Sequence, residues 1–487
     1  MASHQTIVVE LGSSRIKVGF AGESKPRRVL NDDGGSGGGA RRGGGGWTVA
    51  INDGMVSRAC RWTSLHRYHS SMYDASRDDS AKSGGSASVP TTAYEWERTL
   101  YPLFSHALTS ILFVQRPSRH RMLILTSDAF PPRIFREALH RVLLDYLGVG
   151  GVWLLNGGAF EGVYHLLEGL PPPPSLTSSA GPPRAHLIVD IGTHEARVAV
   201  CVAGSSILAD THRATLSGYD SFLGQVLTNY QGEKIVAKDA VDEECAHLEE
   251  EGSYYCPVTS LEDANAVVRA WIALSSSSAG FSPDITTVQV RLPSLERAQR
   301  TESSMEATIQ LPVQPLLKAF HQIYLDYSNP SSLIFAMLTS VRTCPIDYRK
   351  AALQHALLLG GGSVALRHFC FWGGLASTGS STNNGLGPQL ETAARDACGV
   401  SSDDESAGES KGEEKKDDGA SSVSSISRKR FRSLQGVVHG HVDDDDGRRG
   451  GINIQYPDPF AADMVAWIGG SIMGTLGYSK YYQNKFP

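Results

Sequence analysis

The chain has 487 residues, with 51 acidic and 45 basic side chains and a net charge of −6. This length predicts two large lobes or about three domain-sized units, and the acidic balance argues against a bulk nucleic-acid or membrane-surface binder. No apolar run reaches the ~18 residues that a membrane span needs. The start, MASHQTIVVELG, lacks the segments of a secretion signal. The 7 cysteines form no CxxC pair, which disfavours disulfide and zinc frameworks and suits a reducing cytosol.

Strands and helices alternate along the chain between low-complexity stretches. Apolar patterning predicts strands at residues 6–10, 16–20, 121–126, 152–155 and 186–191. Helical apolar spacing predicts helices at residues 96–113, 132–147, 217–228 and 347–358. The stretches rich in Gly, Pro, Ser or charge, which we expect to be mobile insertions, are residues 31–46 with polar sequence to about 92, 170–183, 275–278 and 373–451. The alternation indicates an α/β fold with largely internal sheets.

One strand-and-turn motif occurs twice, about 180 residues apart. Residues 7–13 (IVVELGS) return as residues 187–193 (LIVDIGT): an apolar strand, an acid, an apolar residue, Gly and a hydroxyl. Each copy has a base seven residues past its acid, at Lys17 and Arg197. A single copy is weak evidence because such turns occur in many sheets. Two copies, each opening half of the fold, form a far more specific pattern.

The repeated motif has the chemistry of a phosphate site. A Gly-Ser/Thr turn directs backbone N–H groups and a hydroxyl outward as an anion nest. The acids Glu10 and Asp190 cannot bind phosphate, but they could hold Mg²⁺ through its water shell. Two such hairpins facing each other would grip a nucleoside triphosphate from both sides. The alternative is a pair of ordinary hairpins left from an old duplication.

A third Gly-rich element, LLGGGS at residues 358–363, follows the helix predicted at 347–358. Three glycines let the backbone approach a flat ligand closely, although a loop or a helix cap would have the same composition. The residues predicted to bind nucleotide are Gly12, Ser13, Ser14, Lys17, Asp190, Gly192, Thr193, Gly361, Gly362 and Ser363, with Glu10 and Asp190 as water-mediated metal ligands.

Taken in order, these motifs resemble the actin family, within the wider class of actins, sugar kinases and heat-shock ATPases. The matching segments are GSSRIKVGFAG (12–22) and LIVDIGT (187–193) for the two phosphate loops, LSGYDSFL (216–223) and CPIDYRK (344–350) for inner-lobe helices, and AWIGGSIMG (466–474) for the returning C-terminal segment. The resemblance spans residue 6 to about residue 482. It implies ATP or ADP with Mg²⁺ as cofactor.

The resemblance implies a two-lobed, duplicated ATPase fold with ribonuclease-H-like sheets, low-complexity insertions and a degenerate small subdomain. Its expected parts are an outer lobe at 1–186 with a degenerate insertion at 31–92, an inner lobe at 187–459 with a disordered insertion at 373–451, and a C-terminal return to the outer lobe at 460–487.

Within the family, CPIDYRK, FREALHRVLLDYL (135–147) and the tail SKYYQN most resemble the actin-related protein 10 subfamily, found at the pointed end of dynactin. This implies actin-related filament subunits and dynactin pointed-end proteins as partners, dynein indirectly, no nucleic acid, and a place in the cytoplasm and cytoskeleton. Residues 25–92 show no recognisable docking loop. Because a head-to-tail contact otherwise propagates without closing, this suits a subunit that ends a filament, unless the loop has merely diverged.

Several positions depart from the family pattern. Glu10 and Ser14 replace an Asp and a Gly of the first loop, and Thr193 and His194 replace an Asp and a Gly of the second. The Lys–Glu pair beside the adenine of actins maps approximately to Val268 and Arg269. The Gln and His that position the attacking water fall at about Gly157 and at Arg197.

Neither of these last two replacements can position water or shuttle a proton as a neutral group. We therefore expect no enzyme activity: a structural nucleotide with little or no hydrolysis, or an empty cleft. Two alternatives remain. One is a nuclear actin-related protein of a chromatin-remodelling complex, for which RKRFR (428–432) would be the import signal. The other is an active ATPase or sugar kinase, which would need a general base that the sequence does not offer.

Overall fold

The computed structural model describes residues 5–12, 15–31, 92–126, 131–155, 157–169, 185–202, 205–232, 258–276, 285–294, 308–369, 385–398, 430–439, 452–457 and 460–476. Ser13, Ser14 and most of the expected insertions lie outside these ranges. The lobe boundaries expected at 186/187 and 459/460 stay a prediction.

The outer sheet begins with the first repeated hairpin. Its strands are β1 (Gln5–Leu11), β2 (Arg15–Phe20), β3 (Arg28–Asn31), β4 (His120–Thr126) and β5 (Val152–Leu154). They lie in the order β3-β2-β1-β4-β5, with β2 antiparallel and β4 parallel to β1. Two helices, α1 (Ala93–His106) and α2 (Arg133–His140), bury an apolar face against this sheet. Thr92 and Glu95 cap the start of α1 reciprocally, satisfying backbone amides that would otherwise lack partners.

The inner sheet repeats this topology. Its strands are β6 (Ala185–Ile191), β7 (Ala196–Val202), β8 (Ser205–Ile207), β9 (Arg213–Thr215), β12 (Ala356–Leu359) and β13 (Ile454–Gln455), while β10 (Thr287–Val290) and β11 (Ile309–Pro312) form a separate hairpin. The order is β13-β12-β6-β7-β8, with β7 antiparallel and β12 parallel to β6. Two sheets of equal order and sense confirm the predicted duplicated, actin-like α/β fold.

The remaining helices are α3 (Gly158–Gly169), α4 (Tyr219–Gly232), α5 (Leu261–Ser276), α6 (Gln314–Phe320), α7 (Leu333–Thr343), α8 (Ile346–Gln354), α9 (Gly360–Leu366), α10 (Leu386–Cys398), α11 (Gln435–His439) and α12 (Val465–Thr475). None of the helices described here combines the length and the apolar character that crossing a bilayer requires.

The helix predicted at 347–358 was wrong in its second half. Helix α8 ends at Gln354, and residues 356–359 form β12 between β6 and β13. All four residues of the ALLL segment are buried. A central parallel strand is covered on both faces, so it reads as a continuous apolar run that periodicity cannot distinguish from a buried helix.

The disorder expected across 373–451 does not hold for two segments within it. Helix α10 buries Leu390 and Ala394, and residues before and within α11 bury Phe431, Leu434 and Val438 in the inner-lobe core. These short apolar stretches are separated by long charged ones, and composition averaged over the whole region conceals them.

Helices α3 and α12 lie between the two sheets and cross at two glycines. Helix α3 packs Phe160 and Val163 against the inner sheet, and α12 packs Trp467 against the outer sheet. A Cβ atom on Gly469 would overlap the backbone carbonyl of Gly162. Glycine is therefore what allows the two backbones to approach each other, and the crossing joins one lobe to the other.

We predict that Gly469→Ala lowers the free energy of unfolding by about 3 kcal/mol, because the added methyl group overlaps backbone that cannot rotate away. Urea denaturation monitors the effect. Gly224→Ala in α4 is the matched control, since no atom lies within 4 Å of its added Cβ. It should be neutral or stabilise by up to about 1 kcal/mol. Equal effects of the two substitutions would contradict the proposed close crossing.

Two half-buried histidines, His186 and His212, should make stability depend on pH. Burial lowers the pKa of His186 to about 4, with His355 adding repulsion, and burial also lowers the pKa of His212 to about 4, with Arg197 adding repulsion. A folded-state pKa below the unfolded value of about 6.5 means that protons bind preferentially to the unfolded chain. The stabilising contribution is complete above pH ~6.5 and is lost as the pH falls towards 4.

We therefore predict that proton uptake linked to each of these two histidines lowers the free energy of unfolding by up to about 3 kcal/mol between pH 6.5 and 4. The substitution His186→Phe should remove the contribution of His186 to the pH dependence of the unfolding free energy between pH 6.5 and 4. Comparing urea midpoints of the variant and the parent chain at matched pH values isolates this contribution from that of other titrating groups. Parallel pH profiles for the two proteins would contradict it.

Candidate functional site

The two repeated hairpins face each other across one cleft of about 720 Å³. The cleft-lining residues of the two hairpins are Glu10, Gly12, Arg15, Lys17, Asp190, Gly192, Thr193 and Arg197. The two hairpins carry equivalent acid–base pairs. Strand register places Lys17 opposite Glu10 in the first hairpin and Arg197 opposite Asp190 in the second. The structure thus brings together the acids, bases and turn glycines that the sequence singled out.

The turns of both hairpins are closed by their own backbone. The amide of Gly12 donates to the carbonyl of Arg15, and the amide of Gly192 donates to the carbonyl of Glu195, both at 2.9 Å. A Cβ on Gly12 would lie 2.6 Å from the Arg15 carbonyl oxygen. These two glycines therefore shape the turns, and their amides are not the free anion donors that the nest interpretation assigned to them.

In the outer hairpin, a lysine and a glutamate form a buried pair. Lys17 Nζ lies 2.7 Å from Glu10 Oε1 and also donates to the backbone carbonyl of Asp463. Burial raises the pKa of Glu10, and the charge of Lys17 acts in the opposite direction. Nearby, the Asp463 side chain lies 3.4 Å from the partly exposed Arg15 guanidinium. The C-terminal segment thereby contacts two bases of the first hairpin.

In the inner hairpin, an arginine joins two acids. Arg197 Nη2 lies 3.2 Å from Asp190 Oδ2, and Arg197 Nε lies 3.5 Å from Glu195 Oε1. The Arg197 side chain is only 3% exposed. Its Nε and Nη1 atoms have no hydrogen-bond acceptor among the described residues. A permanently charged guanidinium is therefore held at the cleft wall with part of its donor capacity unused.

Helix α4 fixes the turn of the second hairpin. The amides of Tyr219 and Asp220, in its first turn, donate to the carbonyls of Gly192 and Thr193. His194 Nδ1 lies 2.9 Å from Asp220 Oδ2. His194, which departs from the family pattern, is thus engaged with α4.

The three consecutive glycines have different roles. Gly360 has φ +90°, and a Cβ there would overlap the Ile191 backbone; one on Gly362 would lie 2.6 Å from Ile191 Cγ2. Gly361 lines the cleft and would place a Cβ in open space. Gly361 is therefore the position where a ligand has room to approach the backbone. The site prediction for Ser363 was wrong, because this residue is buried and its hydroxyl donates to the Gly360 carbonyl at 2.8 Å.

Helix α5 contributes a wall of the cleft that includes one of the two positions to which the sequence approximately assigned the adenine-side pair. Val268 is fully buried in the inner-lobe core, whereas Arg269 lines the cleft. The other cleft-lining residues of α5 are Asn265, Ile272 and Ala273. Residues three or four apart share a helix face, and Asn265, Arg269, Ile272 and Ala273 follow that spacing along α5, whereas Val268 lies on the opposite, core-facing side. Helical periodicity starting from Arg269 would have found this face.

The acids of the cleft do not fit a magnesium ion. Glu10 and Asp190 are each bonded to a cationic side chain, so neither offers an uncompensated charge. The described residues contain no group of three or more His, Cys, Asp or Glu side chains arranged to hold a metal. A nucleotide fits better, because the cleft combines basic side chains, an apolar wall on α5 and the open backbone at Gly361.

Comparison with known proteins agrees with this geometry. The family model of actin matches residues 1–242, a range that contains both hairpins and therefore both sides of the cleft. No curated protein matches the chain. The duplicated sheets continue beyond the matched range through β12 and β13. The chain therefore has the actin-like two-lobed fold and, over residues 1–242, is similar to actin.

Proposed function

We propose that this chain is an actin-related protein that binds ATP or ADP in its cleft with little or no hydrolysis and caps the pointed end of an actin-related filament in dynactin. In that role it lies in the cytoplasm and cytoskeleton and supports dynein-dependent transport along microtubules. The observation that carries the proposal is the pairing of Arg197 with two acids. This arginine stands where hydrolysing actins have a histidine, and it is locked between Asp190 and Glu195.

The pairing of every acid that lines the cleft, among the residues that the structure describes, supports the non-hydrolysing part of the proposal. The acids that line the cleft are Glu10, Asp190 and Asp463, and each lies within ion-pair distance of a base. A carboxylate held by a neighbouring cation has an oxygen already engaged, so it is not free to orient and deprotonate an attacking water. Gly157, at the approximate position of the water-positioning glutamine, carries no side chain and is not among the residues that line the cleft.

The filament role is supported by the outer lobe. Ile472, in the last turn of α12, and Leu476, its C-cap residue, are 36% and 58% exposed and lie four residues apart. Exposed neighbouring apolar side chains favour burial against another subunit. The sequence of 25–92, where actins carry a docking loop, offers no recognisable equivalent. A subunit that can contact a neighbour at one end but lacks the docking loop at the other stops a polymer from growing.

The packing of Phe431 favours this function over the nuclear alternative. Phe431, in the RKRFR motif, is fully buried, and the Arg430 guanidinium lies 4.5 Å above the Phe335 ring. The Arg430 carbonyl accepts from Arg342. An import signal is read as an extended, accessible basic segment, and these contacts hold part of the motif against the inner lobe.

We predict that the purified chain binds a fluorescent ATP analogue and releases phosphate no faster than a buffer blank. Gly361→Leu should weaken binding at least about tenfold, because its side chain projects into the open cleft. Gly224→Leu is the matched control, since its Cβ also meets no atom within 4 Å. Steady phosphate release above background would overturn the non-hydrolysing part, and unchanged affinity in Gly361→Leu would remove the cleft assignment.

We predict that affinity purification of the tagged full chain recovers actin-related filament subunits and dynein components, and that electron microscopy finds the tag at one filament end. Leu476→Arg should abolish this recovery, and its charge is compatible with a helix C-terminus. Leu261→Asp, at an exposed apolar position in the first turn of α5, should leave it intact. Recovery of chromatin-remodelling helicases instead would support the nuclear alternative.

A further inference from the structure

We propose that the cleft holds its polyphosphate without a divalent cation, because Lys17 and Arg197 are fixed counter-charges that replace the metal. This inference rests on the nucleotide binding proposed above. The cleft is lined by four bases, Arg15, Lys17, Arg197 and Arg269, and three acids, Glu10, Asp190 and Asp463. The four positive and three negative side chains leave a formal charge of +1 before any ion binds.

The inner acid is occupied by a base that its own sheet positions. Strand register places Arg197 opposite Asp190 on β6 and opposite Ala214 on β9. Its guanidinium lies within 3.5 Å of carboxylate oxygens on both Asp190 and Glu195. A metal ion at Asp190 would share this carboxylate with a buried, permanently charged guanidinium 3.2 Å away, and the repulsion between the two cations is unfavourable.

The outer acid is occupied in the same way. Lys17 contacts the Glu10 carboxylate and the Asp463 carbonyl at once, and its side chain is only 6% exposed. Lys17 on β2 and Arg197 on β7 occupy equivalent register positions in the two hairpins. Both carboxylates that could hold a metal through water are therefore neutralised from within the chain.

Arg197 also retains the capacity to bind a ligand. Its Nη1 atom is buried and lacks a hydrogen-bond acceptor among the described residues, and its Nε meets the Glu195 carboxylate at 3.5 Å without forming a hydrogen bond. Buried donors without acceptors cost free energy, and phosphate oxygens are the acceptors that a guanidinium pairs with most favourably. The ligand class that completes this wall is thus a polyphosphate anion, bound by a guanidinium where other sites use a metal.

Manganese alone provides a test that does not depend on nucleotide. In an electron paramagnetic resonance titration of the nucleotide-free full chain, we expect the signal of free Mn²⁺ to remain undiminished in the parent protein. Arg197→Gln releases Asp190 and Glu195, and it should raise Mn²⁺ affinity at least about tenfold. Arg197→Lys keeps the charge and should behave like the parent.

Arg141→Gln is the matched control, because Arg141 also pairs with a largely buried carboxylate, that of Glu97 at 3.0 Å, outside the cleft. It should acquire no Mn²⁺ affinity. Thermal unfolding verifies that each variant is folded. If Arg197→Gln fails to fold, the parent titration still decides: Mn²⁺ binding by the parent that is lost in Asp190→Asn would overturn the proposal.

The nucleotide arm compares ATP affinity of the parent chain in excess Mg²⁺ and in excess EDTA. We expect the two dissociation constants to agree within about threefold. A loss of tenfold or more in EDTA would overturn metal-free binding. Failure to bind ATP in either buffer would instead overturn the proposed nucleotide function, and the Mn²⁺ titration would still report whether Lys17 and Arg197 exclude a metal.

Discussion

The close crossing of α3 and α12 is the contact on which the rest of the structure depends. Helix α12 packs Trp467 against the outer sheet, and α3 packs against the inner sheet while Gly162 lies close to Leu125 of the outer sheet, so the approach of the two helices helps to set the distance between the sheets. Only glycine at positions 162 and 469 permits that approach. Because each sheet carries a hairpin of the same topology, fixing the sheets also fixes the two hairpins on opposite sides of one cleft.

Within the cleft, duplication has preserved a charge arrangement as well as a backbone. Each hairpin places an acid one residue before the end of its first strand and a base directly across from it. Such pairs lose hydration when they are buried, so they contribute little net stability even with good geometry, although breaking one is costly. Their consequence here is chemical: the carboxylates that face the cleft are already paired with cations and are poorly suited to act as metal ligands.

Sequence reasoning found what local pattern encodes. The acid–apolar–Gly–hydroxyl repeat located both hairpins, and its recurrence predicted the duplicated fold. It failed where tertiary burial decides the outcome. The ALLL segment became β12 because the centre of a sheet required a strand, and Ser363 turned inwards because its hydroxyl closes the turn at Gly360. The pairing of Arg197 with two acids depends on a register that spacing alone suggests but does not establish.

One short segment ties the two sides of the cleft together at its base. The carbonyl of Ala462 accepts from the amide of Gly360, at the start of the inner glycine run, and the carbonyl of the next residue, Asp463, accepts from Lys17 of the outer hairpin. Both contacts are made by the protein itself, and they lie immediately before α12. The lobes are thus linked at the base of the cleft by contacts of the chain itself. For the proposed role, such a link holds the spacing of the two hairpins, which suits a fixed terminal position better than repeated assembly and release.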